Sequence, residues 1–313
     1  MDSKKIPLIA VVGATATGKT GLGIALAKEL DGEIISADSM QIYKGISVAA
    51  ATPSMQERDG VLHHLMEFLE VGEEFSVADY VNLAKQKIFE VNSRGKMPIL
   101  VGGTGLYVNS LVDNISFTEE PCDPALRARL EEQFECVGGE EMLRLLAEFD
   151  SDSAKRLHPN NRRRIIRAFE VYESTGKTLT EQNILSREES SPFDTKMIGI
   201  TYRDREKLYD RINRRVDLMV ENGLIEEARH FYDLDCKGAG QAIGHKELSA
   251  YFKGESSLEE ALEKLKRETR RYAKRQYTWF GRDERINWIY ADEQEDLLSA
   301  ALNILKGEEK REK

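Results

Sequence analysis

Along the first third of the chain, short apolar runs are separated by segments in which apolar residues have helical spacing, a pattern that predicts buried strands connected by helices. Short runs rich in apolar residues occupy Ile6–Val12, Glu33–Ser36 and Ile99–Val101, and each is followed by a small residue. Between them, apolar residues recur with helical spacing over Lys19–Leu30 and, after a capping box at Ser76-Val-Ala-Asp79, as far as about Ser93. Buried strands that alternate with helices are typical of parallel β-α-β units. The pattern therefore predicts a parallel sheet covered by helices.

The pattern changes after about Phe117 and predicts a helical insertion. From Pro121 to about Ser190 the spacing is helical and charge-rich, and Gly138-Gly139 and His158-Pro159 mark breaks between helices. Strand and helix signals then return, as a strand over Met197–Tyr202, a helix from Arg205 to Asn222-Gly223, a helix over Leu258–Phe280, a strand over Ile286–Tyr290 and a helix over Asp292–Lys306. We therefore predict a core formed by residues 1–116 and 197–313, and a helical insertion domain formed by residues 117–196.

Composition and charge narrow the class of protein. Hydrophobic residues make up 41% of the 313 positions, which suffices for a sizeable core, and the net charge is -10. An acidic balance disfavours nucleic-acid binding unless basic residues are clustered on the surface. The three cysteines form no C-x-x-C pair, and no run approaches the length of a membrane span. We expect a cytoplasmic, monomeric protein with free thiols and no membrane segment.

The turn after the first predicted strand carries a phosphate-binding motif. Residues 13–20 fit G-x-x-x-x-G-K-[ST], between a strand and a helix as the motif requires. Backbone N–H groups of such a loop bind phosphate oxygens, its lysine adds positive charge, and its final hydroxyl can ligate Mg²⁺. We therefore predict an α/β fold with a P-loop NTPase-like parallel sheet core, and Mg²⁺ as a cofactor held by Thr20. The predicted diphosphate-binding residues of the loop are Gly13, Ala14, Thr15, Ala16, Thr17, Gly18, Lys19 and Thr20.

The motif alone leaves three classes of function open. The chain could be a small-molecule kinase, an RNA-binding switch driven by a nucleotide, or a transferase whose leaving group is diphosphate. Phosphohydrolases and switches carry an acid at the end of a buried strand, whereas the third predicted strand here is followed by Gly102-Gly103-Thr104. The guanine-reading motif Asn-Lys-x-Asp is also absent from the sequence. Both observations disfavour the kinase and the switch.

Several short blocks, in order along the chain, carry a resemblance to one family. They are Asp38-Ser-Met-Gln-Ile-Tyr43, His63-His64-Leu65, Gly102-Gly-Thr-Gly-Leu-Tyr107, Arg164-x-x-Arg167-Ala168, Gln241-Ala-Ile-Gly244-His245-Lys246-Glu247 and Lys274-Arg275-Gln276-x-Thr278-Trp279-Phe280. With the phosphate loop, this set resembles the tRNA dimethylallyltransferase family, also called tRNA isopentenyltransferases. The sequence lacks the cysteines of the C-terminal zinc finger found in eukaryotic relatives, so the resemblance implies a bacterial-type enzyme. It departs from the family pattern at Ala14, Thr17 and His245, where proline, serine and tyrosine are expected.

The resemblance implies a reaction and roles for individual residues. The substrates would be dimethylallyl diphosphate and the anticodon stem-loop of tRNA, and the acceptor the exocyclic amine of the adenosine 3′ to the anticodon. Lys19 and Arg215 would bind the departing diphosphate, and Thr104 its bridging oxygen. Asp38, expected at the carboxyl end of a strand beside the loop strand, would orient the amine and accept its proton. We interpret the adjacent pair His63 and His64 as structural or close to the tRNA, and we assign the pair no role in catalysis.

Two basic clusters give the acidic chain candidate RNA-binding surfaces. Arg267, Arg270, Arg271, Lys274 and Arg275 recur with helical spacing, and a second cluster lies at residues 162–167. The acceptor base must leave the stacked loop, and residues beside Asp38 are placed to read its edge. The predicted tRNA-binding residues are Asp38, Ser39, Met40, Gln41, Thr104, Arg127, Arg163, Arg164, Arg167, Gln241, Gly244, Lys246, Arg271, Lys274, Arg275 and Gln276.

Overall fold

The computed structural model of the chain describes residues 5–117, 123–233 and 242–307, and the strands within them form one parallel sheet. The sheet has six strands in the order β3-β2-β4-β1-β5-β6. They are β1 (Ile6–Gly13), β2 (Gly32–Ser36), β3 (His63–His64), β4 (Met97–Gly102), β5 (Phe193–Thr201) and β6 (Ile286–Tyr290). The predicted parallel sheet with connecting helices is therefore confirmed.

Helices connect the strands and form most of the remaining described chain. In chain order they are α1 (Lys19–Glu29), α2 (Val77–Ser93), α3 (Gly105–Val112), α4 (Pro124–Ala147), α5 (Ser151–Arg156), α6 (Arg162–Thr175), α7 (Leu179–Leu185), α8 (Arg205–Glu221), α9 (Leu224–Asp233), α10 (His245–Phe252), α11 (Leu258–Phe280) and α12 (Leu297–Lys306). The capping box predicted at Ser76 begins α2, and a non-helical Gly138 interrupts α4. Within the described ranges, none of these helices is both long and apolar enough to cross a membrane.

The chain divides into two compact units. One contains the residues up to Val112 and from Pro192 onwards, and the other contains Asp113–Ser191. In the first unit, α1 and α12 pack on the sheet over an apolar cluster that includes Ile9, Val11 and Ala301. The second unit is helical, and its core is built mainly from α4 and α6. The limits 117 and 196 for a separate insertion domain stay a prediction.

The register of the sheet brings three strand ends together at one edge. β1 pairs with β4 as far as Val12 and Gly102, and β2 pairs with β4 as far as Ser36 and Val101. The segments that leave β1, β2 and β4 are therefore neighbours. Ligands of open α/β sheets bind at this carboxyl edge, so the phosphate loop, Asp38 and Thr104 emerge where a site is expected.

Two of the element boundaries differ from the sequence expectation for identifiable reasons. β5 begins at Phe193 rather than Met197, because the polar residues Asp194–Lys196 pair with β1 although they break the apolar run. α12 begins at Leu297 rather than Asp292, because Asp296 caps it, whereas the Asp292 carboxylate accepts the N–H groups of residues 203 and 204. The short elements β3, α9 and α10 were not predicted at all.

Candidate active site

The phosphate loop between β1 and α1 depends on backbone conformations that few residue types adopt. Gly13 has a φ of +144°, and a Cβ at this position would lie 2.3 Å from the carbonyl oxygen of Ile200. Gly18 has a φ of +100°, and Ala16 has a φ of +63°. These positive φ values let the loop curl and turn successive N–H groups toward one point. The loop therefore has the form that its motif predicts.

The two departures from the family loop fit the surroundings of the loop. Ala14 is buried against Leu208, Ile212 and Ala273. Its carbonyl oxygen accepts hydrogen bonds from the Thr17 hydroxyl at 2.9 Å and from the Lys19 ammonium at 2.6 Å. A threonine at position 17 supplies the hydroxyl that a serine would supply. Both substitutions therefore keep the internal bonds that shape the loop.

Side chains from two distant helices hold the loop from outside. The Arg211 guanidinium on α8 donates to the carbonyl oxygen of Ala16 at 3.0 Å. The N–H of Thr15 donates to Oε1 of Gln276 on α11 at 2.8 Å. The N–H of Thr15 is therefore bonded within the protein, but Thr15 lines the cavity, and its predicted contact with diphosphate stays a prediction.

Asp38 and Thr104 come together where β2 and β4 end. The N–H of Thr104 donates to the carbonyl oxygen of Ala37 at 3.1 Å, and the N–H of Ser39 donates to the Thr104 hydroxyl at 3.0 Å. One carboxylate oxygen of Asp38 accepts the N–H of Met40 at 2.9 Å. The residues directly after Asp38 form turns and not a helix, so this bond closes a local Asx turn that holds the carboxylate in place.

The loop, Asp38 and the cations of α8 line one cavity of about 440 Å³. Burial, and then the charge of Arg215, lower the pKa of Lys19 to about 7, while Asp38 opposes the shift. Burial also lowers the pKa of Arg215, again against the attraction of Asp38. Two desolvated cations in one cavity are poised to gain an anionic ligand, because such a ligand favours their charged forms. The lining also includes the apolar residues Ile34, Ala50, Ala51, Met66, Val101 and Leu218.

The structure adds two residues to the site that the sequence patterns did not single out, Arg214 and Tyr272, and both line the cavity. Burial and the charge of Asp38 raise the pKa of Tyr272, whereas hydrogen bonds with Thr104 and Gln276 oppose the shift. Tyr272 lies four residues before Gln276 on α11, on the same side of that helix. This i, i+4 relation to Gln276, beside the buried face of α11, was the sequence signal that could have identified Tyr272.

The candidates for edge recognition beside Asp38 adopt different surroundings. Gln41 lines the cavity, and its Oε1 accepts the Ser36 hydroxyl at 2.8 Å. Met40 packs against the cluster that contains Ile42 and Phe231. Ser39 is held by Thr104, as described above.

The candidates on α11 separate into an exposed face and a buried one. Arg271, Lys274 and Arg275 are exposed, whereas Gln276 is buried. Arg271 forms an ion pair with Glu268 at 2.7 Å. Of the other basic residues predicted on this helix, Arg267 is also exposed, whereas Arg270 is half-buried and donates to Oδ1 of Asn213 at 2.6 Å. Contact of the exposed residues with RNA stays a prediction.

The candidates near α10 are less completely described. Gln241 lies outside the described residues. The N–H of Gly244 donates to the Glu247 carboxylate at 2.8 Å as α10 begins, and Lys246 is exposed. The departure at His245 is accommodated by a buried bond from its Nε2 to Glu227 at 2.9 Å.

The helical unit contains the second set of basic candidates. On α6, Arg163, Arg164 and Arg167 are exposed. Arg167 lies 3.6 Å from the buried carboxylate of Glu170, which also pairs with Arg127 at 3.2 Å. Part of this basic cluster is therefore neutralised internally.

The two adjacent histidines differ in role. His64 bonds to the buried carboxylate of Glu33 at 2.7 Å, and Arg94 bonds to the same carboxylate at 2.6 Å. His63 lines the cavity, and burial lowers the pKa of its imidazole. Among the described residues there is no group of three or more His, Cys, Asp or Glu side chains that could hold a metal ion. Thr20 does line the cavity, and its role as a metal ligand stays a prediction.

The site combines two chemical capacities in one cavity. Loop amides and desolvated cations can stabilise a polyphosphate and the charge that would develop on it as a leaving group. A carboxylate facing the same space can accept a proton from a nucleophile. This arrangement suits the transfer of a group from a diphosphate to an N–H or O–H acceptor.

Comparisons with known proteins agree with this chemistry. The IPP transferase family model matches residues 41–283. The tRNA dimethylallyltransferase of Bacillus licheniformis is 48% identical over 291 residues, which are 92% of this chain and 92% of the relative. The solved tRNA isopentenylpyrophosphate transferase from Bacillus halodurans has a TM-score of 0.73 at 43% identity and covers 97% of each chain. A eukaryotic dimethylallyltransferase acting on tRNA has a TM-score of 0.82 at 29% identity, over 98% of this chain and 81% of that one. The resemblance drawn from the sequence blocks is thereby confirmed, and this chain belongs to the IPP transferase family of tRNA dimethylallyltransferases.

Proposed function

We propose that this chain transfers the dimethylallyl group of dimethylallyl diphosphate to the exocyclic amine of the adenosine 3′ to the anticodon in tRNA. The observation that carries the proposal is the single cavity shared by the phosphate loop, two cations and Asp38. The amine nitrogen forms a bond to the first carbon of the allylic chain, the carbon–oxygen bond breaks, and diphosphate leaves with the bonding electrons. The apolar part of the lining suits a five-carbon chain.

The phosphate loop and the side chains around it would stabilise the departing diphosphate. Lys19 and Arg215 supply positive charge, and the amides after Thr15 supply N–H donors. Thr104 is our candidate donor to the bridging oxygen. Its hydroxyl accepts the N–H of Ser39 and donates to the Ser39 hydroxyl at 3.3 Å, a long hydrogen bond that a diphosphate oxygen can replace. Thr20 is the proposed protein ligand of Mg²⁺, which would add Lewis-acid neutralisation of the diphosphate.

Asp38 would remove the proton from the amine. The bond from Met40 occupies one carboxylate oxygen, and the other oxygen is available to the acceptor. A carboxylate so placed first orients the amine by accepting its hydrogen bond, and then accepts its proton as the new carbon–nitrogen bond forms.

The proposed tRNA contacts lie on exposed basic faces of both units. In the unit that contains the sheet, these contacts are Arg271, Lys274 and Arg275 of α11. On the helical unit they are Arg163 and Arg164 of α6. Phosphate contacts of this kind fix the register of the RNA without reading its sequence. The monomeric state and the cytoplasmic location of the enzyme stay predictions.

Mass spectrometry of nucleosides tests the proposal directly. The purified chain is incubated with unmodified tRNA, dimethylallyl diphosphate and Mg²⁺, without ATP. We expect one adenosine in the anticodon loop to gain a five-carbon prenyl group, with release of one diphosphate for each product. A phosphorylated small molecule formed only with ATP would instead establish a kinase. RNA affinity that depends on a nucleotide, without a covalent product, would establish a switch.

A further inference from the structure

A buried glutamine on α11 joins two of the segments that form the site. Gln276 is 6% exposed. Its Oε1 accepts the N–H of Thr15 at 2.8 Å, and its Nε2 donates to the carbonyl oxygen of Gly103 at 2.9 Å. The fit is tight, since a Cβ at Gly103 would lie 2.2 Å from this Nε2. Both ends of the amide are thus bonded within the protein, on the side of α11 away from its basic face.

The two bonded segments carry different parts of the proposed diphosphate site. Thr15 belongs to the phosphate loop after β1, and Gly103 directly precedes Thr104 after β4. The pairing of β1 with β4 ends at Val12 and Gly102. Beyond that point, the Gln276 side chain bridges the two segments through one hydrogen bond to each. Loss of these bonds would leave the loop and Thr104 less tightly held relative to one another.

We propose that Gln276 is a positioning residue, which holds the phosphate loop and Thr104 at the spacing that lets both act on one diphosphate. The inference rests on the proposed function, in which the loop binds the phosphate oxygens and Thr104 donates to the bridging oxygen. It also gives Gln276 a role other than the RNA contact predicted from the sequence. A displacement of about one ångström in such an arrangement typically costs about a hundredfold in rate.

The first test compares two identical substitutions at different sites. Gln276→Met keeps the volume of the side chain and removes both hydrogen bonds, whereas Gln86→Met makes the same change on the exposed face of α2. We expect Gln276→Met to lower kcat by about tenfold to a hundredfold, with KM for tRNA unchanged. Gln86→Met should match the unsubstituted enzyme. Wild-type kcat in Gln276→Met would overturn the inference.

The second test separates positioning from a general loss of structure. In Gln276→Glu, the ionised carboxylate cannot donate to Gly103, but the protonated carboxyl can donate there and still accept from Thr15. Burial favours the protonated form. The kcat of Gln276→Glu relative to the unsubstituted enzyme should therefore rise toward one as pH falls from about 8 to about 6. The same ratio for Gln276→Met should stay flat.

The outcomes distinguish this inference from the proposed function. A flat ratio for Gln276→Glu would show that the two hydrogen bonds do not control the rate, even if the variant is slow. If the unsubstituted enzyme prenylates tRNA and Gln276→Met does so equally well, only the positioning role fails. If the unsubstituted enzyme forms no prenylated nucleoside, the proposed function itself fails.

Discussion

The lowered pKa of Lys19 predicts that donor binding takes up a proton. In the protein without donor, this pKa is about 7 instead of the ordinary 10.5, because of burial and Arg215. Contact with the diphosphate favours the ammonium form, so the pKa rises in the complex. At about pH 8 roughly nine-tenths of the free protein has neutral Lys19, and binding should take up about 0.9 proton. Affinity should fall about tenfold for each pH unit above 7, until the pKa of the complex is reached.

Isothermal titration calorimetry with dimethylallyl diphosphate, in the absence of tRNA, measures both quantities. Titrations at one pH in buffers with different heats of ionisation give the number of protons taken up. The range above about pH 7.5 is preferred, because phosphate groups with a pKa near 6 are fully ionised there. Lys19→Met removes the titrating group and is the matched control. Its affinity should be lower and independent of pH over this range.

Two results would refute the reasoning. One is the absence of proton uptake at about pH 8, which would mean that Lys19 is already charged in the free protein. The other is an equal pH dependence in Lys19→Met, which would assign the proton to another group in the cavity.

Further predictions concern the base, the RNA surface and a buried ion pair. Asp38→Asn keeps a hydrogen-bond acceptor but removes the proton acceptor, so kcat should fall at least about a hundredfold while the melting temperature stays unchanged. Near-normal turnover of this variant would show that the carboxylate only orients the amine. In a variant in which Arg267, Arg271 and Lys274 of α11 are all neutralised, the slope of log tRNA affinity against log salt concentration should become shallower, by somewhat under one unit per lost contact. The affinity of this variant for the donor should stay unchanged. Burial alone would raise the pKa of Glu33, but hydrogen bonds from His64 and Arg94 outweigh it and lower that pKa. Glu33→Gln should therefore lower the free energy of unfolding, measured in urea at neutral pH, by about 2 kcal/mol. This difference between the variant and the unsubstituted protein should shrink as pH falls below 4.5, the ordinary pKa of glutamate.

Sequence analysis predicted those parts of the site that depend on a short stretch of sequence or on a general rule of sheet topology. The loop motif spans eight consecutive residues, and its chemistry follows from their order. The meeting of Asp38 and Thr104 followed from the rule that parallel strands end at one edge. Gln276 could not be assigned its place in this way, because its partner Thr15 lies 261 positions away. It was predicted to contact tRNA as part of the block Lys274-Arg275-Gln276, whereas the turn of α11 directs it inward.

The fold shows the same division between local and distant causes. α11 and β6 have the predicted bounds, because helical periodicity and an apolar run identify them without reference to other segments. β3 contains two residues and is defined by its pairing with β2 rather than by any pattern of its own. α9 is held in part through Glu227, whose carboxylate accepts the N–H groups of residues 48 and 49. No sequence window contains that information.

Ion pairing within the protein also changes what its basic clusters can contribute to tRNA binding. Arg271 already bonds to Glu268, and Arg167 lies near Glu170, so a phosphate that binds either arginine must compete with a carboxylate. Among the described residues, Lys274 has no ion-pair partner, and a phosphate there displaces only water and counterions. Lys274 should therefore carry more of the salt dependence of binding than Arg271, although both are exposed on the same helix. The net charge of -10 is a sum over the whole chain, so it does not exclude an RNA substrate, because binding depends on local clusters such as the exposed basic residues of α11.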